Sequence, residues 1–130
     1  LAHGSPRDPI WEYVMSAKVA ERNFSAFETQ VCLIGHSHIP VIFVENERRT
    51  PQVLMPSSGD MWRSQQRFLL NPGSVGQPRD RDPRAAYVLW DSEENTWTYH
   101  RVAYDVDSVQ EEILALGIPT IHAMRLAYGM

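Results

Sequence analysis

Two histidines separated by one residue, His36 and His38, follow the apolar run 31–34 through Gly35 and precede Ile39 and Pro40. Loops at the carboxyl ends of buried strands are where ligand sites concentrate. Imidazoles spaced in this way can point apart toward two neighbouring ions, and neutral imidazole suits Zn, Mn, Fe or Ni better than Ca or Mg. The same pair also reads as two polar residues at a turn. A third histidine, His3, lies in His3-Gly4-Ser5-Pro6-Arg7-Asp8-Pro9, a loop with no obvious packing use for an imidazole. One loop histidine exposed to solvent is commonplace; three in two breaker-rich loops are a candidate ligand set.

A further loop, Asn71-Pro72-Gly73-Ser74-Val75-Gly76-Gln77-Pro78-Arg79, contains two glycines and follows an apolar run. It can present backbone N–H groups to an anion, with the Ser74 hydroxyl and the Arg79 guanidinium adding charge-assisted hydrogen bonds. It lacks the Lys and Ser/Thr of a nucleotide-binding P-loop, and a tight turn between strands is the competing reading. Residues 79–84 alternate Arg and Asp around Pro83, which suits a self-paired surface loop. His100 lies in a strand pattern and His122 in a helix pattern, where structural or solvent-facing roles are the rule. Cys32 is read as a small core residue, and Trp11, Trp62, Trp90 and Trp97 as core or rim packing.

The elements that must position these loops follow from periodicity. Asp8 is placed to cap a helix beginning at Pro9, with Ile10, Tyr13, Val14 and Ala17 at helical spacing. Residues 25–28 suggest a second short helix. Strands are expected at 31–34, 41–44, 52–55, 67–70, 85–90 and 96–103, the last two joined by the polar loop 91–95, so the middle of the chain reads as a sheet of hairpins. Val106, Val109, Ile113 and Leu116 mark a helix with Asp107 or Ser108 as N-cap and Gly117 at its C-terminal end. Pro119 starts a last helix, expected to be buried through Ile121, Met124 and Tyr128.

With 130 residues, 43% of them hydrophobic, the chain can build one core of its own. The net charge is -4 and its twelve Lys and Arg are scattered, so no basic stripe suits long nucleic acid. A single cysteine excludes an internal disulfide and fits a reducing compartment. The longest apolar runs fall far short of the roughly 20 residues that span a bilayer. A cytoplasmic protein with no membrane association is the expectation. The opening on Leu1, without an initiator Met or a signal segment, suggests a piece of a longer protein.

His3-Gly4-Ser5-Pro6-Arg7, Gly35-His36-Ser37-His38-Ile39-Pro40 and the 71–79 loop, in that order, resemble the calcineurin-like metallophosphoesterase superfamily, in its small prokaryotic branch related to diadenosine tetraphosphatases and phosphodiesterases. The terminal helices around Gly117, Ile118 and Pro119 look like that branch's ending. The resemblance implies an α/β fold, part of a four-layer α/β/β/α sandwich with a β-rich middle and two C-terminal helices. It also implies two divalent metal ions, of Mn, Fe, Zn or Ni type, with His3 and His36 on one and His38 on the other. Such a pair, roughly 3.5–4 Å apart, activates water and offsets charge on a phosphoryl group. The family's Asp-x-His, Gly-Asp and Gly-Asn-His motifs have no counterpart here, and Asp8, Asp60 and Asp80 lie outside any ligand motif. Residues 1–130 therefore read as the C-terminal half of one phosphoesterase domain, with Ser74 and Arg79 as rim contacts for a phosphoester small molecule such as a nucleotide. No acid, base or nucleophile is assigned, and the half alone is expected to be inactive. The alternative is a noncatalytic binding module that keeps the fold without its metals.

Overall fold

Four-residue apolar runs bounded by breakers are short enough to be strands and too apolar to face water on either side. Two of them become the centre of the molecule. The computed structural model describes residues 1–46 and 50–130. Among these, β2 (Val41–Val44) and β5 (Phe68–Asn71) are buried along their whole length. They pair antiparallel, Phe43 opposite Leu69, and are flanked by β1 (Val31–Leu33) on one side and β3 (Gln52–Leu54) on the other, giving the order β1-β5-β2-β3. β1 runs parallel to β5, so this sheet is not the run of hairpins expected from the sequence. A second sheet, order β4-β7-β6, is built on the hairpin of β6 (Ala85–Asp91) and β7 (Thr96–Val102), with the two-residue β4 (Met61–Trp62) added at one edge.

Strand alternation sends side chains of the first sheet two ways. Cys32, Val41, Phe43 and Leu69 face α1 (Ala17–Asn23) and pack with Val14, Ala20 and Phe24. Ile42, Val44, Phe68 and Leu70 face the second sheet and pack with Trp97 and Tyr99. Each fully buried Leu, Ile or Phe contributes roughly 1.5–3 kcal/mol, so these two layers carry most of the driving force. A mixed α/β fold with two sheets and few helices is thus as expected.

Several local expectations are corrected. No helix begins at Pro9: residues 9–11 form a turn, because the Asp8 carboxylate accepts the N–H groups of Ile10 (3.3 Å) and Trp11 (3.1 Å), a local bond that competes with helix formation. The helix starts eight residues later, with the Ser16 hydroxyl accepting from Val19 N–H. The second short helix is a 3-10 turn, Phe24–Ala26. α2 (Val106–Ala115) is capped by Asp105 rather than Asp107 or Ser108, since Ser108 N–H donates to the Asp105 carboxylate at 3.0 Å. Gly117, just past it, takes the expected left-handed conformation, φ 70°. α3 (Thr120–Met124) tightens into a 3-10 turn at Arg125–Tyr128, which rotates the buried face: Ala123 and Leu126 are covered, whereas Ile121, Met124 and Tyr128 are exposed. Trp11 is exposed instead of packed in a core.

One arginine fastens the α1 layer to the sheet. Arg67, just ahead of β5, donates to the carbonyls of Phe24 (2.6 Å) and Phe27, pairs with Glu45 at 3.2 Å, and lies over the Phe27 ring, 4.7 Å from its centroid. The segment after α1 is thus held by a planar fork that an ammonium group cannot reproduce. Arg67→Ala should cost about 2–3 kcal/mol in urea unfolding, and Arg67→Lys should recover less than half of that loss.

Candidate functional site

His3 and His36 are far apart in sequence, and the backbone brings them together. Residues 2–3 run beside the end of β1, Ala2 N–H donating to the Leu33 carbonyl (3.0 Å) and Gly35 N–H to the His3 carbonyl (2.9 Å). The two rings then meet, His3 Nε2 lying 2.9 Å from His36 Nδ1, with centroids 4.7 Å apart. Two imidazole nitrogens bound tetrahedrally to one ion, each at roughly 2.0–2.1 Å, would stand about 3.3 Å apart, a few tenths of an ångström more than here. In the structure the two nitrogens share a hydrogen bond, so an ion held by both would have to replace it.

His36 and His38 both adopt left-handed backbone, φ 62° and 60°. Residues other than glycine pay of order 1–3 kcal/mol for such conformations and keep them where surrounding structure enforces them, often at functional sites. The enforcing group here is Asn71, fully buried at the end of β5. Its amide N–H groups donate to the Gly35 carbonyl (2.8 Å) and the Ser37 hydroxyl (2.9 Å), and its side-chain oxygen accepts Gly73 N–H at 2.9 Å. Its own carbonyl accepts the Tyr99 hydroxyl, 2.8 Å, from the second sheet; burial pushes that phenol far above its usual range.

His38 is set from the 71–79 loop. Its Nδ1 lies 2.7 Å from the Gln77 carbonyl, which can only accept, so Nδ1 carries the proton and Nε2 keeps a lone pair. Arg79 reaches back to the Gln77 side chain with Nη2 at 2.7 Å, and its N–H donates to the His38 carbonyl at 3.3 Å. The Ser74 hydroxyl accepts Gln77 N–H (2.9 Å), which shapes the turn. Burial, first, and the nearby positive charges of Arg79 and the other histidines lower the His38 pKa, with the Gln77 carbonyl opposing; for His36 burial is again first, followed by His3 and Arg79. Both imidazoles are thereby biased toward the neutral form that binds metals.

The loop carrying His3 is rigid. Gly4 N–H donates to the Pro9 carbonyl (2.8 Å) and Ser5 N–H to the Asp8 carbonyl (3.0 Å), and a Cβ on Gly4 would fall 2.7 Å from the Asp8 carbonyl oxygen. Glu12 ties this loop to α1: one carboxylate oxygen accepts from Ser5 Oγ (2.6 Å) and from Asn23 Nδ2 (2.7 Å), while Asn23 Oδ1 accepts Arg7 N–H. These two hydrogen bonds, the Ser5 one first, hold the Glu12 pKa below its ordinary value.

Beyond the loop, the alternating charges pair only partly within the segment. Asp82 takes the Arg84 guanidinium at 2.6 Å, which holds its pKa down to about 2, and Asp80 pairs with Arg101, a side chain only 8% exposed. The chain's last residues clamp this segment, Arg81 N–H donating to the Gly129 carbonyl at 2.9 Å; a Cβ on Gly129 would meet Asp82 N at 2.6 Å.

The structure thus brings His3 and His36 into contact and seats His38 on the neighbouring loop with Arg79, while Ser74 serves the turn itself. Among the described residues no group of three or more His, Cys, Asp or Glu is close enough to hold a metal ion. Asp8, Asp60 and Asp80 are engaged elsewhere, by Ile10 and Trp11, by Ser57 and by Arg101. His100 stacks on Tyr87, away from these loops. Sequence reasoning missed Glu12, the buried Asn23, which lies between the two expected helices, and the positioning role of Asn71.

Two outcomes test this scaffolding. Asn71→Ala leaves the Gly35 carbonyl and Gly73 N–H buried without their partner and should cost about 2–4 kcal/mol, read by thermal or urea unfolding. Because folding lowers the Glu12 pKa, its stabilisation is complete above its ordinary value of 4.5 and is lost as the pH falls below it. The gap in melting temperature between the protein and Glu12→Gln should therefore shrink between pH 6 and pH 3; a constant gap would show that the carboxylate's charge is irrelevant.

Comparisons with known proteins give the family and the fold. A crystal structure of a metallophosphoesterase from Sphaerobacter thermophilus superposes with a TM-score of 0.94 and 41% identity, over 99% of this chain and 55% of that one. An uncharacterized protein of Methanocaldococcus jannaschii is 34% identical over 132 residues, 99% of this chain and 51% of that protein. A hypothetical protein of Pyrococcus horikoshii, 19% identical, shares the fold with a TM-score of 0.71 over 99% of this chain and 45% of that one. The chain thus spans about half the length of the relatives it matches. Residues 1–95, which hold all three histidines and the 71–79 loop, match the family model of the calcineurin-like phosphoesterase superfamily domain, and the chain belongs to that superfamily.

Proposed function

We propose that this chain is the C-terminal half of a metal-dependent phosphoester hydrolase domain and supplies the imidazole side of its active site. The observation that carries this is the pair of left-handed histidines, His36 meeting His3 nitrogen to nitrogen at 2.9 Å and His38 held with its Nε2 lone pair free. His3 and His36 hold one divalent ion and His38 a second, of Mn, Fe, Zn or Ni type. When bound, such ions activate the attacking water and offset charge on the phosphoryl oxygens. The residues of this chain do the positioning: Asn71 fixes the turn, Gln77 orients His38, and Arg79 brings a positive charge toward both histidines, which favours an anionic ligand. Ser74 shapes the rim on which the phosphoester rests. The substrate is a small phosphoester such as a nucleotide. The bridging carboxylate comes from outside these residues. Among the described residues no helix is long and apolar enough to cross a membrane, and with one buried cysteine a cytoplasmic setting suits the chain.

The test compares the chain alone with the chain joined to the residues that precede it in its gene, measuring Mn-dependent hydrolysis of bis(p-nitrophenyl) phosphate. The extended protein should be active, the shorter one inactive. His38→Ala in the extended protein should lower kcat/KM by about 100-fold or more, since loss of even an outer-shell partner costs roughly 10–100-fold. Activity in the chain alone would refute the half-site, and full activity of His38→Ala would refute the ligand assignment. Metal-free, inactive extended protein would favour the noncatalytic module instead.

A further inference from the structure

The tryptophans of this chain are used in different ways. Trp97 is buried against Phe68, Trp62 meets Phe68 edge-on, and Trp90 stacks on Trp97 with 5.2 Å between centroids. Trp90 is also exposed, at 56%, but Trp11, 72% exposed, differs in its ring neighbour, which is His36, at 6.4 Å and 75°. Tyr13, 45% exposed, lies on another side of the same imidazole at 4.0 Å and 35°. This indole sits on a hydrogen-bonded turn. The Asp8 carboxylate holds its N–H, and the Gly4–Pro9 hydrogen bond closes the turn behind it.

From this geometry we infer that Trp11 is a specificity-determining residue, an aromatic platform that selects phosphoesters carrying a flat aromatic ring beside the phosphoryl group. The inference rests on the phosphoester reading above. The indole centroid lies 6.4 Å from that of His36, so a ring on the indole and a phosphoryl group at the imidazoles would lie close enough to belong to one small molecule. Charge supports the same orientation: Arg79 acts on His36 and His38, drawing the anionic end toward the imidazoles and leaving the apolar end to the indole. Tyr13 packs on His36 and serves as a positioning residue. Because the turn is already fixed, stacking on Trp11 requires little ordering of the protein.

The experiment is calorimetric titration of the full-length protein loaded with Zn, using phenylphosphonate, cyclohexylphosphonate and inorganic phosphate, whose bonds are not hydrolysed. Phenylphosphonate should bind roughly three- to tenfold more tightly than cyclohexylphosphonate, the span expected of an aromatic pair beyond its area burial. That preference should vanish in Trp11→Ala and persist in Trp11→Phe, with melting temperatures close to the parent's because the side chain is exposed. Equal affinity for the two phosphonates, or a preference that survives in Trp11→Ala, overturns the aromatic subsite and leaves the phosphoester reading standing. Failure of all three ligands to bind overturns both, whereas ring-selective binding without any hydrolysis of phosphoesters supports the subsite and counts against the enzyme alone.

Discussion

A single buried amide carries the strain of the site. Asn71 satisfies the Gly35 carbonyl, the Ser37 hydroxyl and Gly73 N–H at once, and its own carbonyl is closed by Tyr99. No charged or apolar residue of that size offers both donors and an acceptor in one plane. Two histidines in left-handed backbone would otherwise relax, since their own conformational preference runs the other way. The first sheet, the second sheet and the ligand turn meet at this residue, so the cores on both faces of β5 contribute to holding the imidazoles in place.

What the sequence could reveal tracks the range of the interactions involved. β2 is legible because a four-residue apolar run between breakers has one stable solution, and the β6–β7 hairpin because its two strands and turn are contiguous. The histidine loops are legible because breakers and imidazoles stand in the same few residues. The insertion of β5 between β1 and β2 is not legible, since it depends on pairing residues more than twenty positions apart. Neither is the turn at Pro9, where a helical apolar spacing exists but the Asp8 carboxylate takes the backbone donors first. Asn71 was visible as part of a motif, yet its partners lie 34 and 36 residues away, and only folding shows which groups it satisfies.

Electrostatics divides the site into two kinds of positive group. Arg101 and Arg84 are neutralised by Asp80 and Asp82 and serve to shape the 79–84 segment. Arg79 is bonded to the neutral Gln77 side chain and keeps its charge directed at the histidines. An anion approaching this face therefore meets the Arg79 charge beside the histidines, while Arg84 and Arg101 are held by carboxylates, without the protein being basic overall.

Gly129 ties the end of the described chain to this arrangement. Its bare backbone lies against Asp82 and holds Arg81, which continues through Asp80 and Arg79 to the carbonyl and ring of His38. The tail and the ligand turn are thus tied to the two ends of one three-residue backbone stretch, 79–81, by one hydrogen bond each. The last residues are therefore part of the packing around the 79–82 segment, and a side chain on Gly129 would push against the backbone of Asp82.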